Sequence, residues 1–227
     1  GKTMQLQYKT ILKQAEAELV EKKSRFIATL FPVESEEAAA GYIEQIKKQH
    51  YNARHHCYAY VLGEQSELQR YSDDGEPGGT AGRPILDVLT GAKLSNVLIV
   101  VTRYFGGTLL GTGGLVRAYS GAAKAGLAAS TIIAKIHGFK LHITTDYNGL
   151  GKVQHILGQR GIHTLDAKYA ETVTLTVLVP LAFGEELDAE ITERTNGQAE
   201  LFHGETCSFS EVNGELMIET KLNICLS

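Results

Sequence analysis

Two periodicities alternate along the chain and separate its strands from its helices. From Phe26 to Val33 strand-forming residues alternate in side, and Pro32 near the end marks an edge strand or a strand exit. Ser35 then supplies an N-cap, Glu36 and Glu37 fill a first turn, and Ala39, Tyr42, Ile43 and Ile46 share one face. With Lys47, Lys48 and His50 at the far end, this pattern predicts a helix. Ala53 to Leu62 (ARHHCYAYVL) is aromatic and alternating, and Val97 to Thr102 (VLIVVT) is an unbroken apolar run of strand length; both predict central strands. After Gly114, Val116, Tyr119, Ala123 and Leu127 recur at helical intervals as far as Ala129. Each glycine in such a helix costs about 1 kcal/mol relative to alanine, so Gly121 and Gly126 mark places where another backbone or strand comes close. The opening segment is ambiguous, with Ile11, Leu12, Ala15 and Leu19 spaced loosely as in a helix.

The second half reads as a strand over Lys135 to Asp146, a helix over Asn148 to Arg160 stopped by Gly161, and two strands, Ile162 to Ala170 and Thr172 to Val179. An acidic helix comes next over Phe183 to Arg194, and a last strand over Leu216 to Leu226, with an extra hairpin arm between Ala199 and Phe209. That order is βαββαβ, the ferredoxin-like arrangement. The pattern as a whole predicts an α+β protein of two domains, 1–134 and 135–227, joined by a short linker at Thr131 to Ala134.

Composition places the chain among ordinary globular proteins. In 227 residues it carries 43% hydrophobic and 21% charged residues, and no apolar run approaches the ~20 residues of a membrane helix. The start is polar and charged, unlike the core of a signal peptide, and Cys57, Cys207 and Cys225 fit neither a disulfide framework nor a C-x-x-C metal site. These features predict a cytoplasmic protein with reduced, packed thiols and no membrane partner. Charge is unevenly spread. Residues 1–134 hold 15 Lys/Arg against 13 Asp/Glu, a balance of +2, whereas residues 135–227 hold 7 against 13, a balance of −6. Between Pro77 and Ala134 the single acid Asp87 faces Arg83, Lys93, Arg103, Arg117 and Lys124, so a polyanion would bind there.

Two loops concentrate the chemistry. The first, Ser72 to Pro84 (SDDGEPGGTAGRP), is either a rigid connector with solvated acids or a site where Asp73, Asp74 and Glu76 hold a hard cation such as Mg²⁺. The second, Arg103 to Gly114 (RYFGGTLLGTGG), leaves a central strand and enters a helix, so either its glycines only permit a tight crossover or backbone N–H groups at Gly106, Gly107, Gly111, Gly113 and Gly114 converge beside Arg103 and Arg117 as an anion site. It is neither a P-loop nor a dinucleotide fingerprint. Ser120 lacks the surroundings of a nucleophile elbow, and His55, His56 and Cys57 alternate in side on a strand, so they cannot converge on a metal. His55 or His56 instead lines a cleft with the acidic loop, Thr80 and Tyr104. Because both loops leave strand ends, they are expected to meet in one site, with the acids reaching Arg103 or His55.

The segment Ala53 to Tyr60, the DGEP and GTAGRP stretches of Asp74 to Pro84, and the VVTRYFGGTLLG run of Val100 to Gly111 resemble the IMPACT/YigZ family, bacterial type. The resemblance implies a first domain like the second domain of a small-subunit ribosomal protein, of the left-handed βαβ type, and a second domain like the ferredoxin-like domains of elongation factor G. Eukaryotic relatives bind the activator of a translation-control kinase. The resemblance and the charge pattern together lead to the expectation of a non-enzymatic, translation-associated regulatory module binding RNA or ribosome phosphates, or a translation-related protein. Its phosphate contacts would be Lys23, Arg25, Arg83, Arg103, Arg117 and Lys124, with no cofactor and no catalytic residue assigned. The alternative is a Mg²⁺-dependent phosphoryl-transfer or phosphate-ester enzyme that uses both loops. No pattern in the chain sets an oligomeric state.

Overall fold

The computed structural model describes residues 6–220. They divide into two compact units, one being Tyr8–Ala134 and the other beginning at Lys135 and including Leu6 and Gln7. The order is β1 (Gln7–Ile11), β2 (Ala15–Glu21), β3 (Ser24–Pro32), α1 (Glu36–Gln49), β4 (His55–Leu62), β5 (Leu68–Ser72), α2 (Gly82–Gly91), β6 (Val97–Tyr104) and α3 (Gly111–Ala128). Then come β7 (Ile132–Thr145), α4 (Tyr147–Gln159), β8 (His163–Tyr169), β9 (Val173–Pro180), α5 (Gly184–Arg194), β10 (Glu200–Val212) and β11 (Glu215–Thr220). No helix among the described residues is long and apolar enough to cross a membrane.

The first unit is built on a sheet of order β2-β3-β6-β4-β5 in which every neighbouring pair is antiparallel. The middle strand β6 is covered on both faces. Leu98 and Val100 pack under α1 with Ile43 and Ile46, whereas Val97, Ile99 and Val101 pack under α2 and α3 with Ile85, Leu89 and Tyr119. A strand buried on both sides needs apolar residues at every position, which is why VLIVVT does not alternate. The helix α1 carries the predicted cap, with the Ser35 hydroxyl accepting from the Ala38 N–H at 3.1 Å.

Four expectations change. The ambiguous opening segment is β-structure, because Ala15, Ala17 and Leu19 alternate with exposed Glu16 and Glu18 along β2, and Leu19 reaches the core. Strand β3 lies inside the sheet, so Pro32, opposite Val97 at the end of the register, is a strand exit and not an edge signal. Strand β5 and helix α2 have no counterpart in the hydrophobic pattern, since Gly82 and Pro84 disguise the helix start, although proline is tolerated in a first turn. Helix α3 begins at Gly111 and buries Leu115, Ala118 and Ala122, leaving Val116 exposed.

The second unit has the βαββαβ order, with strands β11-β10-β7-β9-β8 adjacent and antiparallel. Val153, Ile156 and Leu157 of α4 and Leu187 and Ile191 of α5 pack on Leu141, Ile143, Leu175 and Val177 on one face of the sheet. The strand that completes the βαββαβ set is β10, where a hairpin arm was expected, and its partner β11 comes after a turn at Asn213 and Gly214, both with positive φ. A register shift between His203 and Thr206 interrupts the alternation of β10 and conceals it in the sequence. The remainder of the expected last strand, 221–226, and Cys225 lie outside the described residues. Cys57 and Cys207 are buried free thiols.

The close approach expected at Gly126 is present: a Cβ there would sit 2.3 Å from Leu30 Cδ1 and 3.3 Å from Ala28 Cβ. Gly41 on α1 faces open space. In urea denaturation Gly126→Val should lower stability by about 1–3 kcal/mol through overpacking, whereas Gly41→Ala should raise it by up to about 1 kcal/mol.

Candidate functional site

The register His55↔Arg103↔Phe26 brings the start of β4, the end of β6 and the start of β3 to one end of the first sheet. Both glycine-bearing loops meet there. Glu76 of the first loop is 8% exposed and Arg103 of β6 is 5% exposed. The Arg103 Nη1 donates to both carboxylate oxygens of Glu76, at 3.0 and 2.9 Å, and the Tyr119 hydroxyl of α3 donates to Glu76 Oε2 at 2.5 Å. His55 Nε2 stands 3.3 Å from Glu76 Oε1. On the other side of the guanidinium, Ser24 Oγ accepts from Arg103 Nη2 at 3.4 Å and from the Gly106 N–H at 3.1 Å. One hydrogen-bonded cluster therefore ties loop one, loop two, the β2–β3 turn and α3 together. Burying a charge is tolerated when it is paired and hydrogen-bonded, and Glu76 accepts from Arg103 of β6 and Tyr119 of α3.

The cluster is a poor source of nucleophiles. Burial pushes the Tyr119 hydroxyl far up, with Cys57 and Glu76 beside it adding to the effect. Burial likewise pushes the Cys57 thiol well above its ordinary range, and the thiol donates to the Asp73 carbonyl at 3.1 Å. A neutral, buried thiol is neither an attacking group nor a metal ligand.

The other acids of the first loop each serve a different partner. Asp73 accepts from the N–H groups of Gly79, Ala81 and Gly82 at 3.0, 3.1 and 2.8 Å. Ala81, the N-cap of α2, has no side-chain oxygen, so a carboxylate eight residues earlier caps the helix in its place. Asp74 accepts the His56 N–H at 2.7 Å through Oδ2, and its carbonyl lies 2.8 Å from His55 Nδ1. Thr80 donates its hydroxyl to the Pro77 carbonyl. Asp73, Asp74 and Glu76 do not converge on a shared ligand position, and among the described residues no group of three His, Cys, Asp or Glu is placed to hold a metal ion. The geometry gives the Mg²⁺-site alternative no support: the carboxylates stitch the loop. His56 and Tyr104 also face inward, His56 Nε2 against the His50 carbonyl at 2.8 Å and the Tyr104 hydroxyl against His50 Nδ1 at 2.7 Å. Burial lowers the proton affinity of His50.

The predicted cations separate into four groups. Arg103, expected as a phosphate contact, is instead internal and paired with Glu76. Arg25 pairs with Glu18 at 2.6 Å, its guanidinium 5.4 Å from the Tyr104 ring centre, and Arg83 pairs with Asp87 at 2.9 Å along α2. Lys124 lines a groove between α2 and α3 with Asp87, about 15 Å along the helix from Gly114 at 1.5 Å per residue. Only Lys23 and Arg117 of that set flank the glycine loop without an ion pair among the described residues: a Cβ on Gly106 would lie 2.1 Å from the Lys23 carbonyl carbon, and one on Gly113 would lie 3.3 Å from Arg117 Nη1. Gly107, Gly111 and Gly113 are exposed, and Gly114 is partly exposed at the start of α3. Arg54, exposed and unpaired among the described residues, immediately precedes His55 at this end of the sheet.

Sequence reasoning missed Ser24, Tyr119 and Arg54. Tyr119 stood on an apolar helix face, and the need of a buried phenol for a partner was the available signal. Arg54 stood beside the histidines in the same motif, and Ser24 beside Lys23 and Arg25 at a turn with positive φ at Lys22 and Lys23.

Comparison with known proteins places these motifs. A family model described as the Impact N-terminal domain matches residues 22–127, and one described as a domain of unknown function (DUF1949) matches residues 143–198. The chain is 40% identical over 198 residues to the IMPACT family member YvyE of Bacillus subtilis (strain 168), covering 87% of this chain and 91% of that protein. It is 38% identical over 182 residues to the IMPACT family member YigZ of Escherichia coli (strain K12), covering 79% and 89%. A crystal structure titled as that of a hypothetical protein superposes with a TM-score of 0.56 at 34% identity, covering 88% of this chain and 98% of the other.

If the Glu76–Arg103 pair ties the loops together, Glu76→Gln should lower stability in urea denaturation by about 3–5 kcal/mol, because a buried guanidinium loses its counter-charge. Asp87→Asn, which breaks the exposed pair with Arg83, should cost under about 1 kcal/mol. Equal costs would show that the buried pair is not what fixes this end of the unit.

Proposed function

Because the chain belongs to the IMPACT family, we propose that it is a non-enzymatic, translation-related regulatory module whose first unit binds RNA phosphates at the glycine-loop end of its sheet. The observation that carries this reading is the set of exposed cations Lys23, Arg54 and Arg117 at the glycine-loop end of the sheet, none ion-paired among the described residues. Backbone N–H groups at the start of α3, which has no side-chain cap, add a fixed positive end to the same rim. The buried Arg103 contributes rigidity and not contact, so the phosphate-binding charge is carried by fewer residues than a count of basic positions suggests. The −6 balance of residues 135–227 favours RNA on the first unit alone.

The expected likeness of the first unit to the second domain of a small-subunit ribosomal protein, and of the second unit to domains of elongation factor G, supports this reading by analogy of fold. The translation-control role that the family resemblance implies for eukaryotic relatives supports the same setting. Catalysis finds little support in a cluster whose thiol and phenol are held neutral by burial.

Anisotropy titrations with labelled RNA test the proposal. Three phosphate contacts on single-stranded RNA give a slope of log K against log salt of about −2, and Arg117→Ala should make it shallower by about 0.7 while weakening all sequences alike. Absence of RNA affinity at low salt would overturn the reading.

A further inference from the structure

Resting on the phosphate-binding reading, we propose that the Phe105 ring is a stacking platform for an unpaired base, so that the RNA recognised is single-stranded. Phe105 comes directly after the central strand, where Arg103 is buried and Tyr104 half-buried, yet Phe105 is itself 47% exposed. Its place is fixed from behind. The Arg103 guanidinium lies over the Phe105 ring, 5.6 Å from its centre, and 5.5 Å from the centre of Phe26, and it is paired with Glu76. A cation behind the ring makes a rigid backing, and the exposed part of the ring is left for a ligand.

The next residues in the loop keep that space open. Gly106 has no room for a side chain, because a Cβ would strike the backbone of Lys23 and Ser24, and Gly107 has φ +89° with nothing within 4 Å of a Cβ position. No side chain from either residue can cover the ring. Leu109 in the same loop is 81% exposed. Lys23 adjoins the loop through Gly106, and Arg117 adjoins it through Gly113. An exposed ring in a loop that also adjoins two cations without an ion pair among the described residues matches a polymer that offers alternating π-faces and phosphates. Duplex RNA hides the faces of its bases within its own stack, so only an unpaired strand can use both features. An acidic peptide would satisfy the cations and leave the ring without a partner.

The test is an anisotropy titration of the full chain with a short labelled oligouridine and with a perfect RNA duplex of the same length. Wild type should prefer the single strand. Phe105→Ala should weaken oligouridine binding by about tenfold with an unchanged salt slope and leave duplex binding unaltered, whereas Phe105→Tyr should retain affinity. The chain has no tryptophan, so Phe105→Trp provides a direct reporter, with emission quenched by oligouridine and not by duplex. Wild-type affinity of Phe105→Ala for oligouridine, or equal wild-type affinity for both RNAs, overturns the stacking inference while Lys23→Ala and Arg117→Ala still report on the phosphates. If wild type binds neither RNA, the phosphate reading itself falls, and a protein ligand for the rim replaces it.

Discussion

A carboxylate and a guanidinium cannot be left alone beneath a protein surface, and the pairing of Glu76 with Arg103 therefore dictates the arrangement of everything at one end of the first sheet. Glu76 can be buried only if the DGEP loop folds back over the end of β6. Arg103 can be buried only if that loop arrives. Tyr119 adds the helix α3 and Ser24 adds the β2–β3 turn, so segments far apart in sequence are held by a single polar cluster. Asp73 then closes the loop by capping α2 from a distance. The carboxylates that look like a cation site instead hold two glycine-rich loops in one conformation.

That rigidity has a consequence for the surface. A loop carrying glycine at several exposed positions would ordinarily be mobile, and binding to a mobile loop is weakened by the entropy lost in ordering it. Here Gly106 is clamped against Lys23 and Ser24, and Phe105 is backed by a guanidinium that cannot move away from Glu76. The exposed rim can thus be preorganised without any bound ligand, and Lys23, Arg54 and Arg117 surround it without internal partners among the described residues. Interior charge sets the shape, and exterior charge is free to act.

The sequence revealed elements wherever one local rule sufficed. Helix α1 has its cap, its acidic first turn and its basic last turn, and β6 is apolar without a break from Val97 to Val101 because both faces are covered there. It concealed elements wherever a distant residue completes the pattern. Helix α2 lacks a capping side chain of its own and borrows Asp73, and β10 loses its alternation at a register shift. The meeting of the two loops was expected from strand ends, but the strand that achieves it was hidden: β4 runs antiparallel to β6 and ends at the far side of the sheet, and it is the unpredicted β5 that carries the first loop back to Arg103. The division of the cations was not legible, since a basic residue carries no mark of burial: Arg103 and Arg117 look alike in the chain, and only the partner Glu76 distinguishes them.

Native-state hydrogen exchange at single amides tests most directly whether the buried cluster makes the two loops one unit. The N–H groups of Gly79, Ala81 and Gly82 donate to Asp73, and that of Gly106 donates to Ser24. If the loops are one structural unit, all four amides open with a common free energy close to that of global unfolding of the first unit, despite lying in glycine-rich loops. Fast exchange at Gly106 through a separate low-energy opening, with Ala81 and Gly82 still protected, would show that the loops are independent and contradict the account.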